Sequence, residues 1–273
     1  MKINNVWAVF FSATGTTERI VTRTAANLAS RFDASYKVYE FVKPAYRKKP
    51  LMFSKGDLVI VGVPVYAGRV PNVLVDFLRK IKGRGAVGIP VVLYGNRAYD
   101  DALIELRDIM EGCGIRCVAA AAYIGEHSFS TVLGAGRPDE DDMNTLWKFI
   151  DDVYEKVSSS DSFDMIDVPG NVPYMPYYVP KDDDQQELDF LRAKPITDEA
   201  KCVWCRVCAK ACPMESINYM KPSEVRGICI KCGACIKKCE KNAKYFDDPG
   251  YIFHREQLER DYADIRREPE VFI

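Results

Sequence analysis

The chain has 273 residues, 48% of them hydrophobic and 28% charged, an ordinary globular balance with ample core and room for two domains of about 150 residues each. Lys and Arg number 38 against 39 Asp and Glu, a formal charge of -1, so neither nucleic acid nor an anionic membrane surface is expected as the main partner. The first apolar run, Val6 to Phe11, is too short for a signal-peptide core or a spanning helix; no membrane insertion and a cytoplasmic location are expected.

Val6 to Phe11 is continuous and β-rich, the pattern of a strand buried on both faces of a parallel sheet. Ser12-Ala13-Thr14-Gly15-Thr16-Thr17 follows at once, and then Ile20, Val21, Thr24, Ala25, Leu28 and Phe32 recur at helical spacing. A hydroxyl-rich loop at a helix start offers backbone N–H groups, hydroxyls and a positive dipole end to an anion. Neither Gly-Lys-Ser/Thr for a triphosphate nor G-x-G-x-x-G for a pyrophosphate is present, which leaves a monophosphate. The alternative is an ordinary turn in which a threonine caps the helix.

Tyr36 to Val42 reads as a second strand, and Pro44 with Arg47-Lys48-Lys49 as a solvated loop. Asp57 to Val63 is a third strand, followed by a helix from Val73 to Ile81 with Val73, Leu74, Phe77, Leu78 and Ile81 inward. Pro90 to Tyr94 is the fourth strand, Ala98 to Met110 a helix, and Cys117 to Ile124 the fifth strand. Met143 to Val157 closes the unit as an amphipathic helix whose inward face is Leu146, Trp147, Ile150, Val153 and Val157. This alternation implies an α/β doubly wound, parallel five-stranded sheet over residues 1-157. In such sheets ligands lie beyond the carboxyl ends of the strands.

The loops at those ends are Pro64-Val65-Tyr66-Ala67-Gly68-Arg69 and Gly95-Asn96-Arg97-Ala98-Tyr99-Asp100. The run Ser12-x-Thr14-Gly15-Thr16-Thr17 is similar to the FMN phosphate loop of flavodoxins, S/T-x-T-G-x-T, with Thr16 where asparagine is frequent, and the order of elements resembles flavodoxin to about residue 157. The resemblance implies FMN, its phosphate on Ser12, Thr14, Gly15, Thr16 and Thr17. Its flat ring would lie among Pro64, Tyr66, Ala67, Gly68, Arg69, Gly95, Asn96, Arg97, Tyr99 and Asp100. Tyrosines can stack there, glycines permit close approach and backbone N–H groups can donate. The plainer readings are core packing for Tyr66 and Tyr99 and surface charge for Arg69 and Arg97. His127, in Glu126-His127-Ser128-Phe129-Ser130, is a candidate catalytic proton donor because imidazole titrates near neutrality; otherwise it hydrogen-bonds locally. Cys113 and Cys117 stand apart and read as buried, inert thiols.

Composition changes at Ser158. Residues 158–196 carry a proline- and tyrosine-rich stretch from Pro169 to Pro180 and then Asp182-Asp183-Asp184. Prolines favour an extended path, so an inter-domain strap along the surface is expected; a loose tether is the alternative. The other eight cysteines follow in two copies of C-x2-C-x2-C-x3-C: Cys202, Cys205, Cys208 and Cys212, then Cys229, Cys232, Cys235 and Cys239, 27 residues on. Three thiolates on one short loop reach three corners of an iron-sulfur cube, and in two-cluster proteins the fourth ligates the other cube. One 4Fe-4S cluster is therefore assigned to Cys202, Cys205, Cys208 and Cys239, the second to Cys229, Cys232, Cys235 and Cys212. Thiolate-bound clusters require a reducing compartment. Structural zinc fits less well, since its ligands come as two separated C-x2-C pairs.

Thr197 to Asp247 resembles the bacterial two-cluster ferredoxins, a small α+β domain, with Glu240 where that family has a second proline. The tail, 248–273, carries Leu258, Tyr262 and Ile265 at helical spacing and ends in Val271-Phe272-Ile273, apolar enough to dock on one of the domains. As a whole the chain resembles flavodoxin and 4Fe-4S ferredoxin fusion proteins of anaerobic bacteria and archaea. That implies a soluble electron-transfer iron-sulfur flavoprotein relaying electrons between two clusters, FMN and external redox proteins. Alternatives are an FMN-dependent reductase of a small redox substrate and a redox sensor. An open cavity faced by Arg69, Arg97 and His127 marks the reductase, a covered ring the carrier.

Overall fold

The computed structural model describes residues 1–273. β1 (Asn5–Phe10) leads into α1 (Thr16–Arg31), which buries Ile20, Val21, Thr24, Ala25 and Leu28 on one face. There follow β2 (Ser35–Glu40), β3 (Asp57–Pro64), α2 (Asn72–Leu78), β4 (Ala86–Tyr94), α3 (Ala102–Gly112), β5 (Ile115–Cys117), β6 (Ala120–Ile124) and α4 (Glu140–Ser159). β3 and β4 are near-continuous apolar runs, buried almost throughout, as central strands covered by helices on both faces must be. The strand order β2-β1-β3-β4-β6, with every neighbour parallel, is that of a flavodoxin-like doubly wound sheet. One core, with Phe11, Phe41, Leu74 and Leu103, lies on one face; Ile20, Leu28, Leu146 and Phe149 form the other.

The sheet has seven strands rather than the expected five. The strand expected from Cys117 to Ile124 is broken at Val118–Ala119, so β5 pairs with the start of β4 and β6 with its end. Trp147 is not inward but 37% exposed; its neighbour Leu146 is buried, and one residue rotates a helix by about 100°. α3 begins at Ala102, because Gly95 to Asp101 forms an irregular loop with Asn96 and Asp100 at positive φ. Arg47 is not simply solvated: its Nη2 donates to Pro213 O at 3.1 Å.

Residues 160–195 hold no helix or strand beyond one bridge between Lys181 and Glu187. Their hydrogen bonds run to the first unit instead. Asp101 accepts from Asn171 N and Met175 N at 2.9 and 2.6 Å, Tyr177 Oη donates to Val70 O at 2.9 Å, and Tyr178 N donates to Ala67 O at 2.9 Å. The cysteine segment comprises β7 (Ile196–Thr197), α5 (Val207–Ala211), α6 (Ala234–Lys237) and β8 (Lys244–Tyr245), with β7 antiparallel to β8. Its two halves repeat one backbone path. Trp204 and Lys231, Arg206 and Gly233, and Glu215 and Asn242 all have positive φ, each pair separated by the 27 residues that separate the cysteines.

α7 (Pro249–Tyr262) buries Tyr251, His254 and Leu258, and Ile265 lies beyond its end. β9 (Glu270–Phe272) then pairs antiparallel with β6, returning the chain to the first unit. Arg137, buried, pairs with the buried Asp142 of α4 and donates through Nη2 to Arg267 O at 2.9 Å, while Arg266 bonds Asp139, the α4 cap, at 2.7 Å. No helix is long and apolar enough to cross a membrane.

Arg137→Ala leaves the Asp142 carboxylate buried without its cation, at a cost of about 3–5 kcal/mol. Urea denaturation should register this as a clearly lowered midpoint; an unchanged midpoint means that the pair does not fasten α4 to the tail.

Candidate functional site

Between the end of β1 and the start of α1 the chain turns through Gly15 (φ 107), and no side chain caps the helix. The first-turn N–H groups of a 16-residue helix therefore remain available to a ligand, and the capped-turn alternative does not apply. Ser12 holds the loop from within, its Oγ accepting from Gly15 N at 3.1 Å. Thr14, Thr16 and Thr17 line a cavity of about 60 Å³ together with Pro64, Tyr66, Gly95, Glu126, His127 and Cys232. Tyr66, Gly95 and His127 also bound a second cavity of about 230 Å³, which extends past Ala67, Gly68 and Arg97. A phosphate-sized polar end thus opens toward a larger, mainly apolar slot, an arrangement that fits FMN.

Not every expected residue lies there. Arg69 borders neither cavity; it forms a two-point pair with the buried Glu105 at 2.8 and 2.9 Å, donates to Met175 O at 2.6 Å and lies over Tyr174 and Tyr177. Tyr99 packs on Tyr94 with ring centroids 5.5 Å apart and donates to Glu270 at 2.8 Å. Asn96 is buried and donates to Tyr262 O and Ile265 O at 2.9 and 2.7 Å, closing the end of α7. Asp100 pairs with Arg97, which lies over Tyr178 at 4.6 Å. These groups build the walls from behind. The walls also include residues outside the expected loops: Tyr178 and Pro180, Phe190 and Leu191, Lys231, and His254 and Leu258. Only the density of tyrosine and proline between Pro169 and Pro180 signalled that stretch in the sequence.

His127 is held locally, its Nδ1 accepting from Phe129 N at 3.1 Å, and its ring stands edge-on to Phe129. Burial above all, with His254, Lys237 and Arg97 nearby, lowers its pKa to about 3. It is therefore neutral near pH 7, with Nε2–H as its donor, and does not carry the imidazolium expected of a proton source. A base whose folded pKa is depressed binds fewer protons than the unfolded chain between the two values. Stability contributed by neutral His127 is present above pH 6.5 and is lost as pH falls toward about 3. NMR-followed titration should show its ring carbons unmoved until pH is well below 6.5; a midpoint near 6.5 overturns the assignment of a buried neutral ring.

No group of three or more His, Cys, Asp or Glu side chains closes on one point as the shell of a single ion does. The cysteines instead stand around two cavities. Cys202, Cys205, Cys208 and Cys239 bound one, whose lining all falls between Thr197 and Lys244. Cys212, Cys229, Cys232 and Cys235 bound the other, with Pro213. In each, three cysteines come from one copy of the motif and the fourth from the other. Burial raises the pKa of Cys208, Cys229, Cys232 and Cys235, that of Cys232 to about 12. Thiolates so placed require cationic partners, and backbone N–H groups of Ser216, Lys231 and Ala243 already point at Cys212, Cys229 and Cys239 sulfurs at 3.4, 3.4 and 3.3 Å. The donor set fits iron-sulfur clusters.

The second quartet is the inner one. Cys232 also lines the phosphate-loop cavity, and Cys232 and Ala234 belong to the core of the first unit. Lys237 pairs with Glu126 and donates to Ser130 O at 2.7 Å, while Lys43 donates to Lys210 O and Cys212 O at 2.5 and 2.7 Å. The first quartet lies beyond it, with Cys205 exposed. Cys113 and Cys117 stand in the first unit, Cys117 fully buried with its pKa raised by burial.

No family model matches the chain. An uncharacterized protein of Methanocaldococcus jannaschii is 41% identical over 49 residues, 18% of this chain and 19% of that relative. Among solved structures, a flavodoxin from the domain Archaea is similar over 56% of this chain and 99% of its own, at 17% identity and a TM-score of 0.40. A flavodoxin of Streptococcus pneumoniae covers 56% and 99%, at 19% identity and a TM-score of 0.38. Rubredoxin oxygen:oxidoreductase of Desulfovibrio gigas covers 58% of this chain and 37% of its own, at 15% identity and a TM-score of 0.40.

Proposed function

We propose that the chain is an electron-transfer iron-sulfur flavoprotein, with FMN on the first unit and a 4Fe-4S cluster on each cysteine quartet. The observation that carries this reading is the double role of Cys232. It belongs to the inner quartet and also lines the cavity that begins at the phosphate loop. FMN, when bound, takes up one or two electrons, and a cluster passes one at a time. Thr14, Thr16 and Thr17 with the start of α1 would hold the phosphate. Tyr66 would cover the ring from one side, and Gly95 leaves room beside His127, since a Cβ there would meet His127 Cδ2 at 2.2 Å. His127 Nε2–H and the Gly95 to Arg97 backbone supply donors.

The slot favours a carrier over a reductase. Tyr178, Pro180, His254 and Leu258 form its outer wall, and Arg69 is committed to Glu105, so the group of cations that would greet a small anionic substrate is not assembled. Arg97 is itself neutralised by Asp100.

Anaerobic reconstitution should load about eight iron atoms and one FMN per chain; stoichiometric zinc with no visible cluster absorption removes the cluster reading. Thr17→Ala should weaken FMN by about 1.5–3 kcal/mol, the contribution of a hydrogen bond to a charged group, in a flavin-fluorescence titration, and undiminished affinity takes Thr17 out of the site. Cys239→Ala should damage the cluster of Cys202, Cys205 and Cys208, and Cys212→Ala that of Cys229, Cys232 and Cys235. Spectra showing the reverse pairing overturn the exchange of fourth ligands.

A further inference from the structure

The two halves of the cysteine segment share a backbone path but not an environment. In the inner half, Ile230 packs on the core of the first unit, Ala234 is part of that core and Gly233 meets the Ser128 carbonyl, where a Cβ would lie only 2.3 Å away. Lys237 finds Glu126 across the same contact. In the outer half the corresponding residues are Val203, Arg206, Val207 and Lys210, 27 positions earlier. Val203 and Val207 are 59% and 39% exposed, and Trp204, between two cysteines of the quartet, is 47% exposed.

A tryptophan at φ 57 beside an arginine at φ 63 is held in a region that bulky residues avoid, and it returns little packing for that strain. Arg206 lies over Tyr219 at 5.2 Å. Tryptophan, arginine and tyrosine are the residues that anchor protein interfaces. The charges around them are one-sided. Salt bridges of the segment use Lys201, Lys221, Arg226 and Lys237. Arg206, Lys238 and Lys241 border the outer quartet without a carboxylate partner, and Glu240 is the one acid bordering it. From Thr197 to Asp247 there are ten Lys and Arg against six Asp and Glu, although the whole chain is net negative.

We propose that this outer face docks a small acidic one-electron carrier protein, which covers Val203, Trp204 and Val207 as the first unit covers their inner counterparts, with Arg206, Lys238 and Lys241 meeting its carboxylates. The proposal rests on the reading of the outer quartet as a cluster site. It assigns the outer end as the exchange point for single electrons, since on the inner side Cys232 and Ala234 are packed into the core of the first unit. Complementary charge guides encounter and fixes orientation, and apolar contact around Trp204 holds the complex.

The test titrates the reconstituted full chain with an acidic bacterial ferredoxin as probe. Binding should weaken steeply with added salt, and Lys238→Glu/Lys241→Glu should weaken it roughly tenfold or more, with cluster absorption unchanged. Trp204→Ala should raise the dissociation rate, and Lys148→Glu/Lys156→Glu, on α4 of the first unit, should change nothing. Equal loss at both lysine pairs, no loss at Lys238 and Lys241, or equally tight binding of heparin overturns the acidic-carrier assignment. Iron content is measured on the same samples, so a chain that binds the probe through this face without clusters refutes the cluster reading and not the docking face.

Discussion

Contact between Gly233 and Ser128 decides how near the two halves of the molecule come. Gly233, the residue just before α6, has φ 71 and would place a side chain 2.3 Å from the Ser128 carbonyl, so only glycine lets the inner turn seat fully on the loop that follows β6. Because it seats, Cys232 reaches the wall of the phosphate-loop cavity and Tyr66 lies between the two sites, its pKa raised by burial and by Cys232 and Cys229. The equivalent residue in the outer half is Arg206, which could not be accommodated in that position. Which half faces the doubly wound sheet is thus determined by one missing Cβ.

The strap makes that seating durable. Glu105 is buried within α3, and a buried carboxylate is tolerated only when paired and hydrogen-bonded. Arg69 answers it with two hydrogen bonds, Val70 N adds a third at 3.0 Å, and the outward face of the guanidinium is covered by Tyr174 and Tyr177. Asp101, one turn earlier, fastens Asn171 and Met175. Residues 171–178 are thereby fixed along the first unit, and Tyr178 is delivered to the rim of the large cavity. Beyond the cavity, Phe129 packs against Tyr251 with ring centroids 4.5 Å apart in a tilted arrangement and contacts Phe190, joining the strap, α7 and the loop after β6.

What was legible in the sequence depended on whether the information was local. The alternation of apolar runs and helical spacing specifies β1, α1, β3, β4 and α4, because each element is shaped by neighbours a few residues away. The cysteine spacing is local too, and the exchange of fourth cysteines between cavities follows from loop length. The irregular loops were not legible in this way. Tyr99 and Asn96 look from sequence like ligands of a flat ring, yet their partners, Glu270 and the end of α7, stand 171 and 166 to 169 residues away. Arg69 is similar: from sequence it reads as a ring contact or a surface charge, and the buried acid it pairs with lies 36 residues on. β9 is three residues long and has no periodicity to recognise; only the free edge of β6 makes it a strand.

Glu240 acquires a definite place from this geometry. Proline follows Cys212 and borders the inner quartet, whereas Glu240 follows Cys239 and borders the outer one, exposed among Lys238 and Lys241. At the inner end Pro213 is buried, its carbonyl accepting from Arg47, and a carboxylate side chain in its place would be withdrawn from water. At the outer end Glu240 keeps water and neighbouring cations. A glutamate in place of a rigid ring is therefore tolerated at the one copy of the motif that solvent reaches, and its charge lies where an approaching protein would sense it rather than where the two halves of this chain meet. The repeat supplies two equivalent turns; the first unit, by covering one of them, makes them chemically different.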